Sequence, residues 1–187
     1  MSWAEVKKID EDARLRAFNG LFIIESPLTW TVPQSGYYKV IAVGGGGDWG
    51  SYGGGAGGVA IKTMRLGAGD DYIISISSGD VWFDDIMTAN GGSKGTSSGG
   101  IGGTATGGDF NYTGGNGSSS SGGSVGCYIA GLMDKTEYYT QGSDTSTATD
   151  ISSGYGILGH GAGGLTSGNI RIPPQKGCVI IIPYIGI

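Results

Sequence analysis

Residues 42–61 read AVGGGGDWGSYGGGAGGVAI, and ten of the fifteen residues from 44 to 58 are glycine. Such a block can serve three purposes: a loop that cradles phosphate, a flexible linker, or a rigid structure made of backbone alone. The residues downstream of the first glycines exclude the phosphate loop. Gly45, Gly47 and Gly50 satisfy GxGxxG after an aliphatic run, but a dinucleotide fingerprint needs a helix next, whose N-terminal N–H groups hold the pyrophosphate. WGSYGGGAGG is not that helix, because each interior glycine costs about 1 kcal/mol relative to alanine. Gly159, Gly161 and Gly164 repeat both the match and the defect.

Gly/Ser-rich segments are commonly flexible coils, and ordering glycine costs more entropy than ordering any other residue. Linkers do not usually alternate with aliphatic strands, however, nor carry Trp49, Tyr52, Ile101, Phe110, Tyr112 and Tyr128. Gly44, Gly47, Gly50 and Gly53 fall three apart, and Ala56 continues the step. A polyproline-II helix has three residues per turn, a rise of about 3.1 Å and no internal hydrogen bonds. Glycine along one edge leaves a face without side chains, where a second such helix can approach and satisfy the backbone. The expectation is that these four structural glycines face a neighbouring backbone while Asp48, Trp49 and Tyr52 point elsewhere. Gly92/Gly95, Gly100/Gly103, Gly114/Gly117, Gly123/Gly126 and Gly161/Gly164 repeat the spacing. The period breaks too often, and 5 prolines are too few, for collagen.

The remainder of the chain bounds the fold. With 187 residues it fits one domain with a short appendage. Only 14% of residues are charged and 38% are apolar, unlike a disordered chain. The net charge of -5 with 11 Lys and Arg leaves no basic stripe for nucleic acid. No run of eighteen apolar residues is present, so no helical membrane insertion is expected. MSWAEVKKIDEDARLRAF lacks an apolar h-region and a cleavage site, which gives the expectation of cytoplasmic synthesis without a signal peptide. Cys127 and Cys178 can pair, but two cysteines make no disulfide framework, and a cytosolic origin favours reduced thiols.

Trp3, Val6, Ile9, Ala13 and Leu15 approximate helical spacing, with Glu5, Lys8, Glu11 and Asp12 between them. This predicts a short amphipathic helix over 2–17, too short to be stable alone. We therefore read 1–20 as an N-terminal attachment or assembly segment and 21–187 as a glycine-rich β domain. Period-two patterning predicts strands over 21–25, 28–32, 37–43, 59–66, 72–77, 81–87 and 178–187. The expected class is all-β, an antiparallel, jelly-roll-like β-sandwich with polyglycine or polyproline-II-type segments. Residues 90–168 hold no conventional element and are too long for an ordinary loop; the glycine-poor insert 132–154 interrupts them.

No catalytic constellation emerges. GxSxG occurs at Gly91-Ser93-Gly95 and Gly95-Ser97-Gly99, but neither serine follows an aliphatic strand or precedes a helix. His160 is the only histidine, leaving one imidazole for every role a triad divides. Asp70, Asp71, Asp80, Asp84 and Asp85 lie at turns or strand ends without a calcium-loop spacing. No metal or other cofactor is expected, and no enzymatic activity.

WTVPQSGYYKVIAVGGGGDWGSYGGGAGGVAIKTMRL (30–66), followed by a Gly-Asp turn and YIISISSG, resembles the glycine-rich domains at the tips of bacteriophage tail fibres. That family runs a tVPxsGxYkVxxvGgGG strand into a glycine block, then a GGvaxkt strand and a YxixIg strand. MSWAEVKKID is similar to the start of tail-associated proteins of prophages in Gram-positive bacteria. The resemblance covers residues 1–10, 29–126 and the closing GCVIIIPYIGI. It implies a host-binding module of a virion tail, commonly a homotrimer, with a cell-surface glycan or protein and other tail or baseplate proteins as partners. No receptor residue is fixed by a family motif.

The function expected is thus a non-enzymatic tail-fibre or receptor-binding protein, with loops on a rigid glycine scaffold displaying the reading residues. Sugars stack on aromatic faces, which makes Trp49, Tyr52, Phe110, Tyr112, Tyr138 and Tyr139 the receptor-binding candidates, although each can equally be a core or interface aromatic. Tyr138-Tyr139 stands in the most polar surroundings, and alanine at both is expected to abolish host binding without lowering Tm. The alternatives are a non-adhesive scaffold component of a phage or tail-like particle, and a polysaccharide-degrading enzyme using Asp80, Asp84 or Asp85 as paired carboxylates.

Overall fold

Period-two apolar patterning over most of the first hundred residues becomes a set of antiparallel strands. The structure, a computed structural model, describes residues 16–18, 21–119 and 176–184. In chain order the strands are β1 (Arg16–Phe18), β2 (Leu21–Ile24), β3 (Leu28–Thr31), β4 (Gly36–Val43), β5 (Val59–Leu66) and β6 (Asp71–Ser77), then β7 (Asp80–Phe83), β8 (Met87–Ala89), β9 (Ala105–Thr106), β10 (Phe110–Tyr112) and β11 (Cys178–Tyr184). They form a six-stranded sheet, β1-β2-β11-β4-β5-β10, and a five-stranded sheet, β3-β6-β7-β8-β9. No helix occurs among the described residues. The helix expected over 2–17 lies outside them, apart from Arg16 and Ala17, which belong to β1. Residues 16–18 pair with 21–23, which places β1 at the edge of the six-stranded sheet.

Turn chemistry sets the registers. Ser77 pairs with Asp80, leaving Ser78 (φ 52°) and Gly79 (φ 91°) as a two-residue turn with both φ positive, the geometry that matches strand twist. The run 81–87, expected from its pattern to be one strand, is two. Asp84 adopts φ 49°, and Ile86 N donates to Phe83 O at 3.1 Å, folding the chain back into β8. Aspartate tolerates the left-handed region better than most residues, and apolar periodicity does not reveal where it will do so.

One cluster of buried side chains draws on both sheets. Tyr38, Val40, Ala42, Val179 and Ile181 meet Trp30, Ile74, Val81, Phe83 and Met87. Rings run through it edge to face, Phe22 to Trp30 at 5.9 Å and Trp30 to Tyr38 at 5.8 Å, and stacked, Tyr72 to Phe83 at 5.2 Å. Tyr38 donates its hydroxyl proton to Gln34 O at 2.6 Å. Each buried aliphatic or aromatic side chain here contributes about 1.5–3 kcal/mol.

A second cluster lies on the opposite face of the six-stranded sheet. It consists of Ile41, Val43, Val59, Cys178 and Ile180, with Ile23, Ile61, Tyr112 and Ile182 beside it. Cys178 is a buried free thiol; burial, and secondarily the charge of Glu25, pushes its pKa up, so it is unreactive in the folded state. Cys127 lies outside the described residues.

At the β10 edge, Asp109 extends the pairing by one side chain. Thr63 N donates to Asp109 Oδ2 at 2.9 Å, and Lys62 Nζ sits 3.5 Å from Oδ1. The Thr63 N–H, and then Lys62, hold this carboxyl below the usual carboxylate range. A depressed folded-state pKa stabilises above the unfolded value, and the increment is lost as pH falls through the folded one. The Tm difference between wild type and Asp109→Asn is therefore expected at neutral pH and should vanish in acid. An unchanged difference in acid would assign it to something other than the charge.

Candidate functional site

Five segments continue the strands at one end of the molecule: g1 (44–50) after β4, g2 (52–58) before β5, g3 (90–95) after β8, g4 (99–104) before β9 and g5 (114–118) after β10. Within the layer of the six-stranded sheet, Gly44 N donates to Gly58 O at 2.9 Å and Gly47 N to Gly55 O at 2.8 Å, while Ala56 N and Gly53 N donate to Gly115 O and Ser118 O at 3.0 and 2.8 Å. Within the other layer, Asn90 N and Ser93 N donate to Thr104 O and Ile101 O, both at 2.8 Å. Every step is three residues, whereas a β-ladder steps by two.

The layers also bond directly to one another. Gly92 N and Gly95 N donate to Gly45 O and Asp48 O at 2.9 and 3.1 Å, and Gly58 N and Gly55 N donate to Asn90 O and Ser93 O at 2.9 Å each. Gly103 N and Gly100 N reach Ala56 O and Gly53 O, and Gly114 N and Gly117 N reach Gly103 O and Gly100 O, all at 2.8 Å. Stacked sheets normally stand about 10 Å apart because side chains fill the gap. Here there are none, and the gap closes to one hydrogen bond. A methyl on Gly44 or Gly47 would overlap the carbonyl of Asn90 or Ser93, and one on Gly57 the carbonyl of Gly44. At Gly50 it would overlap Gly95 O and meet Lys94 Cε at 3.3 Å.

The aromatic candidates separate into two places. Trp49 and Tyr52 stand half-buried at the turn joining g1 to g2, where Gly50 N donates to Tyr52 O at 3.1 Å. Phe110 and Tyr112 pair with Ile61 and Val59 on the sheet; Phe110 is 61% exposed, and Tyr112 packs against the outer apolar cluster. Val59 and Tyr52 are seven residues apart along an extended segment, about 20 Å at 3.1 Å per residue, so the structure does not gather these four. Tyr138 and Tyr139 lie outside the described residues.

Beside g1 lies a cleft of about 410 Å³. Backbone of Gly45, Gly46 and Gly92 lines it, together with Glu25, Asp48, Lys94 and Lys176. Two ammonium groups and two carboxylates leave it without net charge but rich in donors and acceptors, which suits a neutral polyhydroxylated ligand. Trp49 and Tyr52 are not among its lining residues, but Asp48 immediately precedes Trp49 and the Lys94 side chain reaches toward Gly50. Sequence reasoning missed Glu25, Lys94 and Lys176. A signal existed for Lys94, since it and Asp48 are the only charged residues in the five segments.

Three of the five aspartates at turns and strand ends accept hydrogen bonds that account for their placement. Asp70 accepts from Gly67 N at 3.0 Å, Asp71 from the Thr31 hydroxyl at 2.6 Å and Asp80 from Gly91 N at 2.7 Å. Among the described residues no three His, Cys, Asp or Glu side chains are grouped to hold a metal, and no helix is long and apolar enough to cross a membrane. No family model matches the chain, and no curated protein matches it either.

Proposed function

We propose that this chain is a non-enzymatic receptor-binding protein of a phage tail or tail-like particle, which attaches to a glycan on the host-cell surface. In this reading the two sheets form a β-sandwich and the five glycine segments a polyglycine-II-type stack that serves as its rigid tip. The observation that carries it is the polar cleft lined by Asp48, Lys94 and Lys176, with the half-buried Trp49 following Asp48 in the chain. Aromatic faces beside hydroxyl-binding groups, held on backbone that is hydrogen-bonded between and within layers, are pre-organised for sugar. The likeness of residues 30–66 to tail-fibre tips agrees with this, and a homotrimer belongs to the same reading, to be checked by a mass measurement in solution.

The test is retention on an array of bacterial surface polysaccharides. The wild type is expected to bind at least one of them, and Trp49→Ala/Tyr52→Ala to lose at least about tenfold in affinity, the size of a modest hot spot. Its Tm should stay within about 2 °C of wild type, because both side chains are only half-buried. Equal retention of the double variant would remove the turn from the site. A wild type that binds nothing would favour the non-adhesive scaffold.

A further inference from the structure

The outer face of the six-stranded sheet is buried at one end and wet at the other. Ile41 and Ile180 are each 1% exposed, and Val43, Val59 and Cys178 are 0%. On the same face, Tyr37 of β4 is 59% exposed and Phe110 of β10 is 61%. Side chains standing on one face of a sheet shield one another only sideways. Complete burial needs a layer above them, and the described residues packed against this cluster, Ile23, Ile61, Tyr112 and Ile182, all belong to the same sheet.

We propose that residues 2–15 of this same chain supply that layer, lying across the outer face with Trp3, Val6, Ile9 and Ala13 turned onto the cluster. Place and length support this occupant. Cross-strand register aligns Ile23, Ile180, Ile41 and Ile61 in one row, and the same row begins at Arg16, opposite Ile23. Residues 1–15 therefore join the sheet at the end of the row they would cover. From β2 to β5 the row crosses three strand spacings, about 14 Å. The apolar stripe from Trp3 to Ala13, helical as its spacing predicts, spans about 15 Å at 1.5 Å per residue. The exposure of Phe110 at the far edge fits a cover that enters from β1 and ends before β10. Residues 120–175 are the competing occupant; they leave from Ser119, beyond the end of g5, and return at Lys176.

Cys178 reports on the cover, because its thiol belongs to the buried outer cluster. In a Cys127→Ser background the full chain should react with a thiol reagent such as dithionitrobenzoate only on global unfolding. Deleting residues 2–13, which spares β1, should raise the Cys178 rate at least about a hundredfold while cooperative thermal unfolding persists. Retained protection in the folded deletion protein would assign the cover to residues 120–175 and overturn the proposal. Should the deletion protein fail to fold, a benzophenone amino acid in place of Ile9 in the full chain decides the matter. Photo-crosslinks to peptides containing residues 41–43 or 178–180 are expected, and crosslinks elsewhere, or none, overturn it.

Discussion

Gly47→Ala is expected to destabilise the protein by about 3 kcal/mol or more, at or beyond the upper end of ordinary overpacking. A methyl group there would overlap the carbonyl of Ser93 and come within 2.7 Å of Gly92 O. Both obstacles are backbone of the opposite layer, so no flexible side chain can move aside. Relief requires the layers to separate, which breaks the bonds Gly92 N makes to Gly45 O and Gly95 N to Asp48 O. In a domain of this size the Tm should fall by roughly 6–12 °C. Gly36→Ala is the control, since its added carbon would meet only Tyr38 Cε2 at 4.0 Å, and it should change Tm little. A Gly47→Ala protein as stable as wild type would show that the close approach of the layers contributes nothing to folding.

Phe83→Ala tests the other half of the molecule. Phe83 is fully buried and stacks on Tyr72 with ring centroids 5.2 Å apart. Truncating a buried phenylalanine removes its transfer free energy and leaves a cavity, together costing about 3–5 kcal/mol. Denaturant unfolding should show a lower midpoint at an unchanged slope. Ile73→Ala on the neighbouring strand should stay within about 0.5 kcal/mol, because Ile73 is 58% exposed. If both variants unfold alike, the shared core between the sheets is not where the stability resides.

Much of the strand plan was legible. Runs such as YYKVIAV and VAIKTMRL carry aliphatic and aromatic residues between turn signals, and β4 and β5 lie over them. The breaks decided by conformation rather than hydrophobicity were not legible: Asp84 divides one apolar run into β7 and β8. β9 and β10 are two and three residues long, too short for any period to show. The buried outer face did leave a trace. VIAV at 40–43 and VIII at 179–182 are unbroken apolar runs, which fit a sheet covered on both sides better than one with a wet face. In the candidate site, Trp49 and Tyr52 stood out as aromatics embedded in glycine. Glu25 and Lys176 did not, because they are 151 positions apart in a chain whose first and last described strands meet in one sheet.

By itself the sequence determined the local conformations: which runs extend, where glycine removes the side chains, and that the glycines recur at threes. Those features arise from each residue's own sterics and from spacing along the chain. Only the tertiary structure decided which glycine faces which carbonyl, that two layers rather than one share the hydrogen bonds, and that a polar cleft opens along g1 as far as Asp48. These depend on pairing between segments far apart in sequence, and a glycine carries no side chain whose chemistry could name its partner in advance.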